Sequence, residues 1–263
     1  MPILYIPHGG GPLPLMNDVN HKGLIKFLTT IIHELPQPKA IIVITAHWEE
    51  SEVTISSNPT PGMLFDYSGF PPQTYQYAYP AKGDPALAKR IQYTLEQQGV
   101  STSLDDQRGF DHGTFVPLML MYPDAALPVI QVSLQKDLDP QLHINVGKAL
   151  AEFSTQGMLI LGSGSSFHNM RIPEALTAQA PTMSQEFNQW LNNTITGETS
   201  WEKKADALSR WQEAPHGKFA HPREEHLLPL HVCFGAAQAL KLSVKNVFNQ
   251  PFYGIHVSAF LWR

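Results

Sequence analysis

The sequence contains very little cysteine and has no excess of positive charge. Cys233 is the only cysteine among 263 residues, so the chain cannot form a disulfide within itself or build a thiolate-rich zinc site. Lysine and arginine number 18 against 23 aspartates and glutamates, which gives a formal net charge of −5. Binding to nucleic acid requires basic stripes that neutralise phosphates, and the sequence shows none. We therefore expect no nucleic-acid partner.

Long hydrophobic runs are also missing. No apolar stretch approaches the roughly 20 residues that span a bilayer. The first apolar run ends at Pro7 and lacks the basic region of a signal peptide. We accordingly expect no membrane partner and a cytoplasmic location. Hydrophobic residues make up 43% of the chain, an ordinary globular composition, and the length suits one catalytic domain over residues 1–263.

Histidine, in contrast, is abundant, with 12 residues. Three of them follow short apolar runs: His8 after residues 3–6, His47 after residues 41–44, and His168 after residues 158–161. Continuous aliphatic and β-branched runs are typical of buried strands in parallel sheets. A helical spacing of apolar residues separates the first two runs, so the chain begins with a strand, a helix and a strand.

The same alternation continues to the end of the chain. We predict further strands at 53–56, 101–104, 128–134 and 253–262, and helices at 21–35, 85–99, 114–122, 140–153, 184–193, 205–211 and 224–240. Residues 58–80 form a long loop with six aromatic side chains, which we interpret as a packed wall or lid, and residues 214–222 form a second loop. The pattern predicts an α/β fold, a single three-layer α/β/α domain around a mixed, largely parallel sheet.

The histidines that follow strands are candidates for a metal site. Turns at the carboxyl ends of parallel strands meet at one edge of the sheet, where open α/β sheets bind their ligands. His8, His47, His168 and the turn at residues 111–113 all follow strand-like segments, so we expect them to converge. A single histidine near a strand end is more often structural, but a cluster of imidazoles and carboxylates suits iron(II) or zinc.

Six short segments occur in order along nearly the whole chain. They are His8-Gly9, Thr45-Ala46-His47-Trp48, Phe65 to Pro71, Arg108 to Gly113, Gly162-Ser163-Gly164 with His168-Asn169, and Glu225 to Leu230. Together they resemble the LigB-type class III extradiol ring-cleaving dioxygenases, in particular the 4,5-DOPA dioxygenase branch. One segment departs from the pattern, because the chain has His-Gly-Gly-Gly-Pro where the family usually has His-Gly-Ser-Pro.

This resemblance implies extradiol cleavage of a catechol-type substrate, with DOPA 4,5-cleavage as a candidate reaction, by dioxygen at one divalent metal per chain. The active metal would be iron(II), and the isolated protein could carry zinc(II). The implied ligands are His8, His47 and His226, with His168 either a fourth ligand or an acid/base beside the metal. His112 would be a catalytic residue that hydrogen-bonds substrate or dioxygen.

The resemblance also bears on the third ligand and on the substrate. More distant members of the superfamily use a glutamate as third ligand, so Glu225 is an alternative to His226. The loop aromatics Phe65, Tyr67 and Phe70 would supply an apolar wall for a flat substrate ring. Three arginines beside the motifs are candidates for binding a substrate carboxylate: Arg108, Arg171 and Arg223.

Two other functions stay open at this stage. The same histidines could hold zinc and activate water in a hydrolase, or the chain could be a non-catalytic metal-binding or signalling relative of the same superfamily. The remaining histidines are expected to be structural. His21, His33 and His143 fall on helices that we predict to be partly exposed, and His231 points to a different helical face from His226.

Overall fold

Aliphatic runs form the centre of one eight-stranded sheet in the computed structural model, which describes residues 1–263. The strands are β1 (Ile3–Pro7), β2 (Ile41–Glu50), β3 (Val53–Ser56), β4 (Thr102–Asp105), β5 (Val129–Gln135), β6 (Leu159–Gly164), β7 (Val244–Phe252) and β8 (Ile255–Trp262). They lie in the order β4-β3-β5-β2-β6-β1-β8-β7. The inner pairs β5–β2, β2–β6 and β6–β1 are parallel, whereas β8 runs antiparallel to both β1 and β7. The predicted mixed, largely parallel sheet is confirmed.

Helices pack against this sheet, as the α/β prediction requires. They are α1 (Lys22–Ile31), α2 (Pro85–Gln97), α3 (His112–Met121), α4 (Pro140–Thr155), α5 (Ala180–Thr196), α6 (Trp201–Ser209), α7 (Gly217–Ala220) and α8 (Leu228–Leu240). Asp84 and Asp139 cap α2 and α4 by accepting backbone N–H groups, and a proline occupies the first turn of each. No helix has the combination of length and apolar character that a membrane span requires.

Several boundaries differ from the sequence predictions. Strand β7 was missed because it is an edge strand with polar residues and Pro251 among its apolar ones, so its alternation is weak. The helix predicted over 224–240 begins only at Leu228, with Pro229 in its first turn, and this leaves residues 224–227 as a turn. The loop predicted over 214–222 contains the short helix α7.

The arrangement of the three central strands positions the candidate site. Strands β1 and β2 both pair in parallel with β6, which lies between them. Their carboxyl ends therefore reach the same edge of the sheet, and the segments that leave these ends are neighbours in space.

Candidate metal centre

His8 and His47 meet at the carboxyl edge of the sheet. His8 comes directly after β1, whereas His47 lies inside β2, where the register with β5 shifts between Ile44 and Glu49. The irregular stretch of β2 contains the side chain that reaches the site. The Nε2 atoms of the two rings are 3.0 Å apart. The two strands on either side of β6 thus bring two imidazoles into direct contact, as the sequence pattern predicts.

His112 joins this pair from the first turn of α3. Asp111 caps the helix by accepting the N–H of Thr114, and the His112 ring lies 3.9 Å from the His47 ring between centroids. The close approach depends on the next residue, because a Cβ at Gly113 would lie 2.9 Å from the His47 ring. One ligand atom each from His8, His47 and His112 falls within 4.8 Å of the others.

His226 approaches from the turn that precedes α8. Its ring centroid is 5.2 Å from that of His8 and 4.9 Å from that of His47. The turn is held by its carbonyl, which accepts the N–H of Ser165 at 2.9 Å and the hydroxyl of Tyr5 at 3.2 Å. A Cβ at Gly164 would lie only 2.1 Å from this carbonyl oxygen, so the glycine allows the turn to lie against the end of β6.

His168 lies against His226 rather than against the other rings. The two rings stack with centroids 3.4 Å apart and an angle of 15° between their planes. The Nδ1 atom of His168 is 3.4 Å from Oε1 of Glu225. His168, Glu225 and His226 form a second set whose ligand atoms lie within 4.8 Å of one another. The structure thus brings together all five histidines that the sequence singles out, in two adjoining sets.

The Nδ1 atoms of the cluster are held by protein acceptors. Nδ1–H of His226 donates to Oε1 of Glu225 at 2.9 Å. Nδ1 of His8 lies 3.2 Å from Oγ of Ser163, whose hydroxyl donates to the carbonyl of Gly113 and must therefore accept from the imidazole. These contacts leave the Nε2 atoms of His8 and His226 with lone pairs, which is the tautomer that binds metals through Nε2.

Asp66 provides the corresponding contacts for the other two rings. Its Oδ1 accepts both the backbone N–H of His112 at 3.0 Å and the Nδ1–H of the same residue at 2.8 Å. Its Oδ2 is 3.4 Å from Nδ1 of His47. Sequence reasoning missed the roles of Asp66 and Ser163, although both lie inside segments that carry the family resemblance.

The electrostatics of the site favour neutral imidazoles beside ionised carboxylates. Burial, reinforced by the neighbouring rings, lowers the pKa of His8 and His47 well below the usual value. The same two causes lower the pKa of His226 to about 4, although Glu225 opposes them. Burial acts in the opposite direction on Glu225, but hydrogen bonds from His168 and His226 outweigh it and lower the pKa of the Glu225 carboxyl. Neutral imidazole is the form that ligates a metal.

These residues fit a divalent metal. Nitrogen ligands about 2.0–2.1 Å from one ion lie about 3 Å apart when they occupy adjacent positions, and the His8 and His47 Nε2 atoms are 3.0 Å apart. Two such lone pairs facing each other without a proton or a cation between them would repel. Imidazole donors suit zinc and iron alike, so the donor set does not select between these metals.

The aromatic loop reaches the same place. The Tyr67 ring lies 6.0 Å from the His112 ring between centroids, and Phe70 lies 5.5 Å from Tyr67 and over Gly11 in the loop that follows His8. Phe65 packs against both Tyr67 and Phe115, with ring centroids 6.0 and 5.9 Å away. Tyr67 therefore borders the histidines with Phe70 beside it, whereas Phe65 supports Tyr67 from the side of Phe115.

Two of the three candidate arginines, Arg108 and Arg223, are engaged by protein groups, whereas Arg171 is exposed. Nη2 of Arg108 donates to the His47 carbonyl and to Asp111, each at 2.9 Å, and its guanidinium lies 4.6 Å from the Trp48 ring centroid. Arg108 is thus not placed to bind a substrate carboxylate, because its charge is neutralised in the protein. Arg223 pairs with Glu49 and contacts Glu225.

Two histidines predicted to be partly exposed are in fact buried. His21 is 0% and His143 1% exposed. The loop that follows β1 and the rings of Phe252 and Tyr253 pack against His21, whereas α4, which carries His143, packs against α8. Their burial does not bring them into the metal cluster. Nδ1–H of His21 donates to Asp18 at 2.8 Å, and its Nε2 accepts the N–H of Gly10 at 3.2 Å. His143 and His231 lie on α4 and α8 and bond to backbone groups of the helices and, for His143, of Gln135 at the end of β5.

The fold and the site define an α/β protein with a histidine-rich candidate metal centre, and comparison with known proteins identifies its family. The family model for the catalytic LigB subunit of aromatic ring-opening dioxygenase matches residues 2–260. The chain belongs to the LigB family, which is metal-dependent, and curated relatives of the chain are named dioxygenases. This confirms the resemblance seen in the sequence motifs.

Individual relatives can be aligned with most of the chain. Dioxygenase tasH from Hapsidospora irregularis is 34% identical, covering 99% of this chain and 85% of that protein. The 4,5-DOPA dioxygenase extradiol of Beta vulgaris is 40% identical, covering 89% of this chain and 85% of that protein. The crystal structure of an uncharacterized Escherichia coli K12 protein matches with a TM-score of 0.79 and 25% identity, covering 99% of both chains.

Proposed function

We propose that this chain is an extradiol ring-cleaving dioxygenase that opens a catechol-type aromatic with dioxygen at one divalent metal. The observation that carries the proposal is the convergence of buried, neutral imidazoles on one point at the carboxyl edge of the sheet, with the His8 and His47 Nε2 atoms 3.0 Å apart. The chain belongs to a family of ring-opening dioxygenases, which supports the same reaction class.

In this proposal His8, His47 and His226 hold the metal. Glu225 accepts the Nδ1–H of His226, an arrangement that orients an imidazole toward a metal on its other nitrogen. That contact favours His226 over Glu225 as the third ligand. His168, stacked on His226, is the fourth ligand or an acid/base beside the metal.

His112 is proposed as a catalytic acid/base that hydrogen-bonds substrate or dioxygen. Its Nδ1–H is committed to Asp66, so its Nε2 is an acceptor able to take a catechol hydroxyl proton and later return one. The substrate ring would lie against Tyr67 and Phe70, with Phe65 behind them. When bound, iron(II) would supply the coordination that brings the two hydroxyl oxygens of the catechol and dioxygen together and lets the ring reduce dioxygen.

The substrate we propose is a catechol with a short side chain, such as DOPA. A relative that is 40% identical is named a 4,5-DOPA dioxygenase, which supports this choice. In the decisive experiment, the protein is reconstituted with iron(II) in the absence of oxygen. Oxygen and a panel of catechols are then added. We expect oxygen uptake and a yellow ring-opened semialdehyde that contains both atoms of dioxygen.

The same experiment separates the alternatives. A protein with full iron(II) occupancy that consumes no oxygen with any catechol would overturn the proposal. Ester hydrolysis by the zinc-loaded protein would then indicate a hydrolase, and absence of both activities a metal-binding relative. The His47→Ala variant is the matched control, since it should bind neither metal in stoichiometric amount.

A further inference from the structure

Asp66 lies in the aromatic loop, and its carboxylate contacts two of the candidate site's imidazoles. Oδ1 accepts the backbone N–H and the ring Nδ1–H of His112 at 3.0 and 2.8 Å, and Oδ2 lies 3.4 Å from Nδ1 of His47. His112 belongs to α3 and His47 to β2. A single side chain therefore connects the loop to two independent elements of the fold.

The two contacts have a consequence for the tautomers of both rings. Oδ1 is a hydrogen-bond acceptor and already accepts the backbone N–H of His112. The short contact between Oδ1 and Nδ1 of that ring is therefore also a hydrogen bond that the ring N–H donates. The His47 ring presents Nδ1 to the other oxygen and Nε2 to His8. The hydrogen bond places the proton of His112 on Nδ1, and the carboxylate oxygen 3.4 Å from Nδ1 of His47 favours the same tautomer there, with the Nε2 lone pair pointing into the cluster.

The position of Asp66 in the chain adds a second element. It is flanked by Phe65 and Tyr67, and the Tyr67 ring lies 6.0 Å from His112. Phe70, further along the same loop, lies over Gly11 in the loop that follows His8. The segment that would contact a substrate ring is therefore tied, through one carboxylate, to the imidazoles that would contact the metal and the reacting oxygens.

We propose that Asp66 is a positioning residue that fixes the orientation and the Nδ1–H tautomer of His112 and His47 and joins the substrate-facing loop to the metal centre. Its role in catalysis rests on the function proposed above. Its effect on tautomer and on metal binding does not, so it can be tested without a substrate.

Two variants separate the two contacts. In Asp66→Asn the amide oxygen can still accept both N–H groups of His112, but the amide NH₂ then faces the Nδ1–H of His47, donor against donor. In Asp66→Ala both rings lose their acceptor. Mutation of the hydrogen-bond partner of a ligating histidine typically lowers metal affinity or activity by about 10–100-fold.

The first measurement uses the metal-free protein labelled with ¹⁵N-histidine. Long-range ¹H–¹⁵N spectra distinguish the two neutral tautomers, and the signals of His112 and His47 are assigned from His112→Gln and His47→Gln. We expect the Nδ1–H form for His112 in the parent and in Asp66→Asn, and a mixture in Asp66→Ala. A parent His112 with its proton on Nε2, or an unchanged tautomer in Asp66→Ala, would overturn the proposal.

The second measurement is zinc affinity by competition with a chelator. We expect weakening of about 10-fold in Asp66→Asn and up to about 100-fold in Asp66→Ala. The control is Glu186→Gln, which removes the carboxylate partner of His216 at 2.7 Å on an exposed surface and should leave zinc affinity unchanged. Parental affinity in both Asp66 variants, with the circular dichroism spectrum of the parent, would contradict the assignment.

Kinetics with a catechol then test the link to the loop. If the chain cleaves catechols, Asp66→Asn at saturating iron(II) should lower kcat more than it raises KM, because the loop still contacts the substrate while the His47 ring is misoriented. A rise in KM alone would overturn the positioning role and leave Asp66 as a loop residue. If no catechol is cleaved by the parent, the tautomer and zinc measurements still decide the proposal.

Discussion

The molecule contains two kinds of buried histidine, and they differ in how their second ring nitrogen is used. In the helical layer, Nδ1–H of His143 donates to the Asp139 carbonyl at 2.7 Å, and its Nε2 accepts the N–H of Gln135 at 3.2 Å. At the carboxyl edge of the sheet, Nδ1 of His8 contacts Ser163, but its Nε2 meets only the Nε2 of His47.

Burial does not distinguish the two regions, and neither does pKa. Burial lowers the pKa of His143 to about 4, and it lowers the pKa of His226 at the site to about 4 as well. The difference lies in the lone pair that no protein group takes up. A histidine with both nitrogens bonded to the protein is structural, whereas one whose Nε2 lone pair is left open can bind a metal.

Removal of one histidine from each region should give the largest difference in metal binding between the two regions. We expect His47→Ala to lose stoichiometric metal, with affinity for zinc weakened by more than about 100-fold, since loss of a ligand exceeds loss of a ligand's hydrogen-bond partner. His143→Gln should bind zinc as the parent does. Metal analysis of both purified variants checks this, and a His47→Ala protein with full metal content would remove His47 from the ligand set.

Within the site, we expect His112 to differ from the histidines that bind the metal. We expect His112→Ala to keep its metal but to lose about 10²–10⁴-fold in ring cleavage, the usual contribution of a general acid/base. Turnover is measured by oxygen uptake at saturating iron(II). Unchanged turnover on every catechol that the parent accepts would exclude a catalytic role, and loss of metal would instead assign His112 to the ligands with His8 and His47.

The sequence predicted the parts of the fold and site that depend on local signals. Residues 3–6 and 41–44 are continuous apolar runs, so the strands and the convergence of His8 and His47 could be predicted from them. The hydrogen bonds that set the tautomers could not, because they join residues 155 positions apart in His8–Ser163 and 46 apart in His112–Asp66. Helical spacing likewise could not show that neighbouring elements cover His143.

The loss of folding stability at acidic pH should reveal the contribution of a buried structural histidine, His143. The folded pKa of His143 is about 4 against the ordinary 6.5, so below pH 6.5 the unfolded chain takes up a proton that the folded protein does not. His143 therefore contributes stability that is present above pH 6.5 and is lost as the pH falls from 6.5 through about 4, on the order of 3 kcal/mol in total.

Urea unfolding at pH 7, 5 and 4 measures this contribution. Burial is the main cause of the shift, while Asp139 and Glu49 oppose it and His231 adds to it. We expect His143→Gln to show a shallower loss of stability between pH 6.5 and 4 than the parent. His33→Gln, at an exposed position, should follow the parent curve. Equal slopes in parent and His143→Gln would show that this ring is not the acid-sensitive group.

The smallest expected effect concerns the carbonyl that holds the His226 turn. Tyr5→Phe removes the hydroxyl that donates to this oxygen at 3.2 Å, but the N–H of Ser165 still donates to it at 2.9 Å. We expect a loss of about 1 kcal/mol in the free energy of unfolding, the usual worth of one hydrogen bond.

Tyr79→Phe is a matched control, since its hydroxyl donates at 3.0 Å to the Tyr122 carbonyl away from the histidines. Both variants should lose similar stability, but only Tyr5→Phe should weaken zinc binding, by less than about 10-fold. Equal zinc affinity in the two variants would show that Ser165 and Gly164 suffice to position His226.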